Sequence, residues 1–202
     1  RAVRHAAASL VRAVAEAYGW REAQVAPHAG GLINATYVVR DDAGAPIAAL
    51  QKLHPIWAPE VNLDIDAVTT HLAARGMETP RLVRTLDGRA WVEDGGAVWR
   101  ALSWVDGQTV HAVPDPAWAE SAGELVGRFH RAVADLHYEY RFARAGVHDT
   151  AAHLAKLSAY DDELAREIQA AAATLPALPL GPKRHVHGDL KISNVIFRGG
   201  RA

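Results

Sequence analysis

Residues 185–194 of this chain read HVHGDLKISN. In this stretch Asp189 stands five residues before Asn194, and a histidine stands two residues before Asp189. A short strand is predicted on each side of Asp189 and Asn194, at residues 184–187 and at the apolar residues 195–197. A tight turn between two such strands would bring the aspartate and the asparagine to one point.

A carboxylate and an amide presented together suit the transfer of a phosphoryl group. That chemistry needs a carboxylate that orients the attacking hydroxyl and receives its proton, and it needs oxygen ligands that hold magnesium on the phosphates. Asp189 can supply the first and Asn194 the second. The spacing His-x-Asp-Leu-x-x-x-Asn is that of the kinase catalytic loop. The alternative interpretation is a polar turn in which both side chains serve only to form the turn.

Composition excludes several other classes of protein. The chain has 202 residues, of which 50% are hydrophobic and 22% charged, so it can fill a core as one large domain or two small lobes. Its net charge of -1 provides no basic field for nucleic acid or an anionic membrane. The absence of cysteine excludes disulfide scaffolds, cysteine-zinc sites and thiol nucleophiles. With no apolar run of about 18 residues and no visible signal peptide, we expect a cytoplasmic protein.

From residue 24 to residue 105 the pattern predicts antiparallel β structure interrupted by one helix. A separate amphipathic helix over residues 3–18 precedes this region. The interrupting helix is predicted over residues 59–75, where apolar side chains recur at helical spacing. The strands are predicted at residues 24–28, 33–40, 46–53, 81–85, 90–94 and 98–105.

After residue 106 the pattern becomes mainly helical. One helix is predicted over residues 117–136, with Asp115 as its N-cap, and a second runs from residue 149 or 150 to about residue 174. We therefore predict an α+β, bilobal protein with a nucleotide-binding β-sheet lobe at residues 1–105. A partial helical lobe follows at residues 106–202. A cleft between two such lobes is a common ligand site.

A pair of glycines, Gly30 and Gly31, stands between the first two predicted strands. Glycines let backbone amides approach phosphate oxygens without a Cβ atom in the way. The pair is not a P-loop, because no Gly-Lys-Ser or Gly-Lys-Thr follows. An ordinary hairpin turn therefore stays open as an alternative.

The third predicted strand of the sheet carries Lys52, which could neutralise nucleotide phosphates. Alternation places Lys52 on one face with Leu50, and Gln51 on the other, without indicating which face looks into the cleft. The helix that follows this strand carries three carboxylates. They could pair with Lys52, or they could form a solvated acidic face of the helix. These candidate partners are Glu60, Asp64 and Asp66.

The order of these parts resembles the aminoglycoside phosphotransferase and choline kinase-like family, a small-molecule branch of the protein-kinase-like fold. Its N-acetylhexosamine 1-kinase-related members are more similar than the true antibiotic kinases. The resemblance covers essentially the whole chain. The matching segments are GGLIN at 30–34, TY at 36–37, LQKL at 50–53, WVDG at 104–107, GRFHRA at 127–132, and HGD at 187–189 followed by Asn194.

The resemblance implies ATP and Mg²⁺ as cofactors and transfer of the γ-phosphate to a hydroxyl of a sugar, amino sugar or amino alcohol. It implies that Asp189 is the catalytic base, that Lys191 touches the γ-phosphate, and that Asn194 binds magnesium. A nucleotide and a small-molecule acceptor are the implied partners, with no nucleic acid and no membrane. The nucleotide-binding positions that it implies are Gly30, Gly31, Ser103, Val105, and either Lys52 or Gln51.

One element of the family pattern does not occur in these residues. The family carries a second acidic motif, Asp-x-Asp, after the catalytic loop, but only eight residues follow Asn194 and none is acidic. We therefore expect the chain to be a piece of a longer kinase that, as it stands, binds nucleotide without completing the transfer. The alternative is an inactive nucleotide-binding pseudokinase or regulatory module.

Overall fold

The computed structural model describes residues 2–28, 33–144, 146–147, 149–175 and 181–202, with backbone only for residues 2–8. Gly30 and Gly31 lie outside these residues. The helices are α1 (Ala2–Ala17), α2 (Val61–Ala73), α3 (Pro116–Ala132), α4 (Thr150–Leu157) and α5 (Glu163–Ala173). The strands are β1 (Gln24–Pro27), β2 (Ala35–Arg40), β3 (Pro46–Lys52), β4 (Leu82–Val83), β5 (Val92–Asp94) and β6 (Ala97–Ser103).

The strands form one antiparallel sheet, so the predicted α+β class is confirmed. The strand order is β1-β2-β3-β6-β4, and β5 also pairs with β6. Between β2 and β3 the Asp41 carboxylate accepts a hydrogen bond from the Ala45 N–H at 2.8 Å. Gly44 in the same turn has φ +82°, a conformation that glycine adopts without strain. These two residues thus set the turn of the β2–β3 hairpin.

Helix α1 packs against one face of the sheet. Val14 of α1 is fully buried, and so is Leu50 of β3, in a core that also holds Trp99 of β6. Because side chains alternate along a strand, burial of Leu50 on this face directs Gln51 to the opposite face. The helix therefore covers one side of the sheet and leaves the other side to different contacts.

Helix α2 is joined to α3 and to the chain after α3. Leu72 of α2 and Val133 at the end of α3 are buried together. The buried Asp64 carboxylate accepts hydrogen bonds from the Tyr138 hydroxyl at 2.8 Å and from the N–H groups of Arg141 (2.8 Å) and Phe142 (3.0 Å). These bonds hold the segment after α3 against α2.

The segment after β6, residues 104–108, is bonded to the segment after residue 194. Gln108 and Phe197 exchange backbone hydrogen bonds at 2.9 and 2.8 Å. Gly107 has φ +139°, and a Cβ atom there would lie 2.6 Å from the Phe197 carbonyl oxygen. Glycine is therefore required for the two segments to approach this closely.

Three predicted elements near the carboxyl end are wrong. The helix expected from residue 149 or 150 to 174 is two helices, because Asp162 begins α5 by accepting a hydrogen bond from the Ala165 N–H at 2.8 Å. Residues 184–187 form no strand, and residues 195–197 contribute only the single bridge between Gln108 and Phe197. These segments are short, and among the described residues no neighbouring strand pairs with them to form a ladder of backbone hydrogen bonds.

The chain divides into two compact units, Arg1–Phe142 with His185–Ala202, and Ala143–Arg184. The first unit holds the sheet, α1 to α3 and the HVHGDLKISN stretch, and the second holds α4 and α5. The lobe boundary at residues 105 and 106 stays a prediction. Among the described residues, none forms a helix of the length and apolarity needed to cross a bilayer.

Candidate functional site

The HVHGDLKISN stretch forms a loop that brings Asp189 and Asn194 into direct contact. Gly188 has φ +79°, which lets the chain turn before Asp189. A short 3-10 turn, Ile192–Asn194, then returns the chain. The Asn194 side-chain amide donates hydrogen bonds to the Asp189 carbonyl oxygen at 2.8 Å and to its Oδ2 atom at 3.0 Å. The loop is thus closed by its two candidate functional residues.

The charges around Asp189 favour its carboxylate form. The Asn194 hydrogen bond is the main cause that lowers the pKa of Asp189 below its ordinary value of 3.8, against a smaller opposing effect of desolvation. Lys191, whose Nζ lies 3.4 Å from Oδ2, lowers the pKa further, as does His187. The Asp189 side chain is 67% exposed, so solvent reaches it readily. Asp189 is therefore an anion at neutral pH, able to accept a hydrogen bond from a hydroxyl.

We expect a carboxyl ¹³C NMR titration to give Asp189 a pKa below 3.8. Since the folded-state pKa is lowered, Asp189 stabilises the fold above the ordinary range of aspartate and loses this effect as the pH falls through the folded-state pKa. Asn194→Ala should raise the pKa towards 3.8, because it removes the main stabilising bond. Ser193→Ala, in the same turn, should not. A wild-type pKa at or above 3.8 would contradict the assignment.

The entry to the loop is anchored by His185, to which sequence analysis assigned no role. Its Nε2 lies 2.7 Å from the Leu136 carbonyl oxygen and must donate to it, so in the neutral imidazole Nδ1 accepts from the Tyr140 hydroxyl at 3.0 Å. Both partners lie after α3, outside the motif. The only sequence signal was the histidine itself, because its partners are 45 and 49 residues away.

Asn194 and Asp189 offer oxygen atoms that fit magnesium. The Asn194 amide nitrogen is already bonded, which leaves its Oδ1 without a partner among the described residues. Carboxylate and amide oxygens are hard donors, and Mg²⁺ is commonly held by one or two protein oxygens together with substrate phosphates. Within the described ranges, no group of three or more histidine, cysteine or acidic side chains gathers for a metal. A magnesium ion here would therefore depend on phosphate oxygens for further ligands.

Ser103 and Val105, two of the implied nucleotide-binding positions, differ in their free backbone groups. The Ser103 N–H donates to the Arg81 carbonyl oxygen at 2.7 Å, and the Ser103 hydroxyl accepts from the Arg81 N–H at 2.9 Å. The Val105 N–H has no acceptor among the described residues. Val105 also lines a cleft of about 570 Å³ whose wall includes Asn194. Val105 rather than Ser103 therefore offers a free donor beside a cavity.

Lys52 and Gln51 lie on opposite faces of β3. Lys52 is exposed and forms no ion pair within the described part of the chain. Of its candidate partners, Asp64 is bound by the segment after α3, and Asp66 pairs with Arg84 at 2.5 Å. Gln51 is half-buried on the face opposite α1. The structure thus brings none of the acidic candidates to the lysine.

Comparison with known proteins places the chain in a family. The model of the phosphotransferase enzyme family matches residues 24–202. A homoserine kinase from Methylobacillus flagellatus is 30% identical over 177 residues, which is 86% of this chain and 54% of that protein. The chain thus spans about half the length of this curated relative.

Solved structures share the fold at low sequence identity. An amicoumacin kinase in complex with AMP-PNP, Ca²⁺ and Ami has a TM-score of 0.68 at 17% identity, over 96% of this chain and 61% of that one. A spectinomycin phosphotransferase in complex with ADP and spectinomycin has a TM-score of 0.54 at 12% identity, over 95% and 65%. The predicted resemblance is confirmed, because the family model covers most of the chain: this protein belongs to the phosphotransferase enzyme family.

Proposed function

We propose that this chain carries the catalytic loop of an ATP-dependent phosphotransferase that moves the γ-phosphate to a hydroxyl of a small molecule. The observation that supports the proposal is the contact between Asp189 and Asn194 in one closed loop. Family membership supports the reaction class. The chain spans about half the length of its curated relative, so the proposal concerns only the part of the reaction that the residues of this chain perform.

Asp189 is the base in the proposed reaction. The acceptor hydroxyl donates a hydrogen bond to the Asp189 carboxylate, which orients the oxygen towards the γ-phosphorus. As the new O–P bond forms, the bond from the γ-phosphorus to the bridging oxygen breaks, ADP leaves, and the hydroxyl proton passes to Asp189. Lys191 lies close enough to Asp189 to contact the transferring group. Bound magnesium supplies charge neutralisation on the phosphates, with Asn194 Oδ1 as a ligand.

An amino alcohol is the first acceptor to test. The curated relative is named a homoserine kinase, and homoserine is an amino alcohol. Sugars and amino sugars complete the proposed acceptor class. The antibiotics named with the solved neighbours belong to proteins that share the fold at under 25% identity, so they enter the screen only as further candidates.

The second candidate function is an inactive nucleotide-binding module. It is favoured by the lack, among the described residues, of a cluster of acidic or histidine ligands that could complete a metal site with Asn194. Such a module would bind nucleotide and transfer no phosphate.

Calorimetry and a coupled assay for ADP distinguish the two functions. We expect saturable binding of ATP to this chain in the presence of Mg²⁺. With the full-length protein we expect ADP formation that requires an added alcohol from a panel of homoserine, choline, N-acetylhexosamine and an aminoglycoside. Binding without transfer to any acceptor would support the inactive module. The absence of nucleotide binding would contradict both functions.

A further inference from the structure

Three polar side chains form a row across the sheet on the face opposite α1. Thr36 of β2 is the cross-strand partner of Gln51 of β3, and Gln51 is the partner of Arg100 of β6. Gln51 Nε2 donates to Thr36 Oγ1 at 3.2 Å, and Arg100 Nε donates to Gln51 Oε1 at 2.9 Å. The row therefore fixes the direction of the Arg100 side chain.

The neighbours of Arg100 show which face it occupies. Trp99 and Ala101, on either side of it in β6, are buried in the core with α1. Alternation then places Arg100 on the opposite face, where it is half-buried. Since α1 covers the Trp99 face, a ligand held against the middle of the sheet must approach the face that carries the row.

The Arg100 guanidinium lacks a negative partner. No carboxylate of the described residues lies within ion-pair distance of it, and its Gln51 bond uses only Nε. Burial lowers the pKa of Arg100 to about 10, because it disfavours the charged form of the guanidinium. The group is still charged at neutral pH. A buried charge without a partner is costly, and an anion that bound its terminal nitrogens would relieve that cost.

We propose that Arg100, oriented by Gln51 and Thr36, binds a phosphate group of the nucleotide. This inference rests on the proposed function. The terminal N–H groups of a guanidinium match two phosphate oxygens in a forked pair of hydrogen bonds, which a lysine cannot form. Arg100 thereby takes the role that sequence analysis assigned to a residue of β3, and Gln51 acts as a positioning residue.

Calorimetry with ADP and with adenosine tests the proposal on the whole chain. Arg100→Met should weaken ADP binding by about 10- to 100-fold, because a charge-assisted hydrogen bond is lost. Adenosine, which has no phosphate, should bind as it does to the wild type. The matched control is Arg40→Met: Arg40 lies on the same sheet but donates to the Gly44 carbonyl oxygen in the β2–β3 hairpin. Its ADP affinity should be unchanged.

Gln51→Glu tests the charge without deleting the arginine. A carboxylate at this position would pair with Arg100, so ADP binding should weaken while thermal stability is kept or raised. A merely structural role for Arg100 predicts no loss of ADP affinity in this variant. The double variant Gln51→Glu with Arg100→Met should bind ADP no more tightly than Arg100→Met alone, because the added carboxylate then has no cation beside it and repels the phosphate.

The outcomes separate this inference from the proposed function. If the wild type binds neither ATP nor ADP, the proposed function fails first. If the wild type binds ADP and a folded Arg100→Met binds it equally well, the inference alone is overturned. Should Arg100→Met not fold, an unchanged ADP affinity in Gln51→Glu overturns it instead.

Discussion

Asp189→Asn is expected to lower kcat by about 10²- to 10⁴-fold with little change in the KM for ATP. Asparagine has nearly the same shape as aspartate but cannot receive the proton of the acceptor hydroxyl. Its side-chain oxygen can still accept the bond from the Asn194 amide, so the loop should remain closed. The measurement is the steady-state rate of ADP formation by the full-length protein with the acceptor identified by the panel.

A loss confined to kcat would indicate an interaction made in the transition state and not in nucleotide binding. Asp161→Asn is the matched control, because Asp161 is a 99% exposed carboxylate in the other compact unit. Its turnover should equal that of the wild type. Unchanged turnover in Asp189→Asn would remove Asp189 from the reaction.

Asp64→Ala is expected to lower the free energy of unfolding by about 3 kcal/mol, because three hydrogen bonds to a buried carboxylate are lost and each contributes about 1 kcal/mol or more. These donors are the Tyr138 hydroxyl and the N–H groups of Arg141 and Phe142. Urea unfolding followed by circular dichroism measures the change.

Asp66→Ala, two residues along the same helix, is the matched control. Within the described part of the chain, the Asp66 carboxylate pairs with the partly exposed Arg84, and such pairs near the surface contribute about 0–1 kcal/mol. Each variant removes one aspartate carboxylate from α2, so the difference between them isolates the effect of the hydrogen bonds that Asp64 accepts. Equal losses in the two variants would contradict the structural role of Asp64.

The role of Asp64 also shows where prediction from the sequence stopped. Sequence analysis offered it as one of three partners for Lys52, since an acidic helix follows that strand. Its actual partners lie 74 to 78 residues later in the chain, in a segment with no distinctive pattern. Contacts over that separation depend on how α2 and α3 pack, which local patterns do not specify.

Most of the sheet was predictable because its signals are local. Asp41 and Gly44 mark the β2–β3 turn within four residues, and alternation of side chains follows from strand geometry. The single helix expected up to residue 174 was wrong, because α4 ends at Leu157 and Asp162 caps a second helix, α5. Apolar spacing alone does not reveal where one helix ends and the next begins when the intervening loop is short.

The sequence by itself determined the catalytic-loop motif and the family, because Asp189 and Asn194 are only five residues apart and their contact is made within one turn. Only the tertiary structure decided which face of β3 is covered. Alternation separates Gln51 from Lys52, but burial of Leu50 and Trp99 under α1 assigns each face. The link from Gln51 to Arg100 joins residues 49 apart in sequence, and only the register of paired strands brings such residues together.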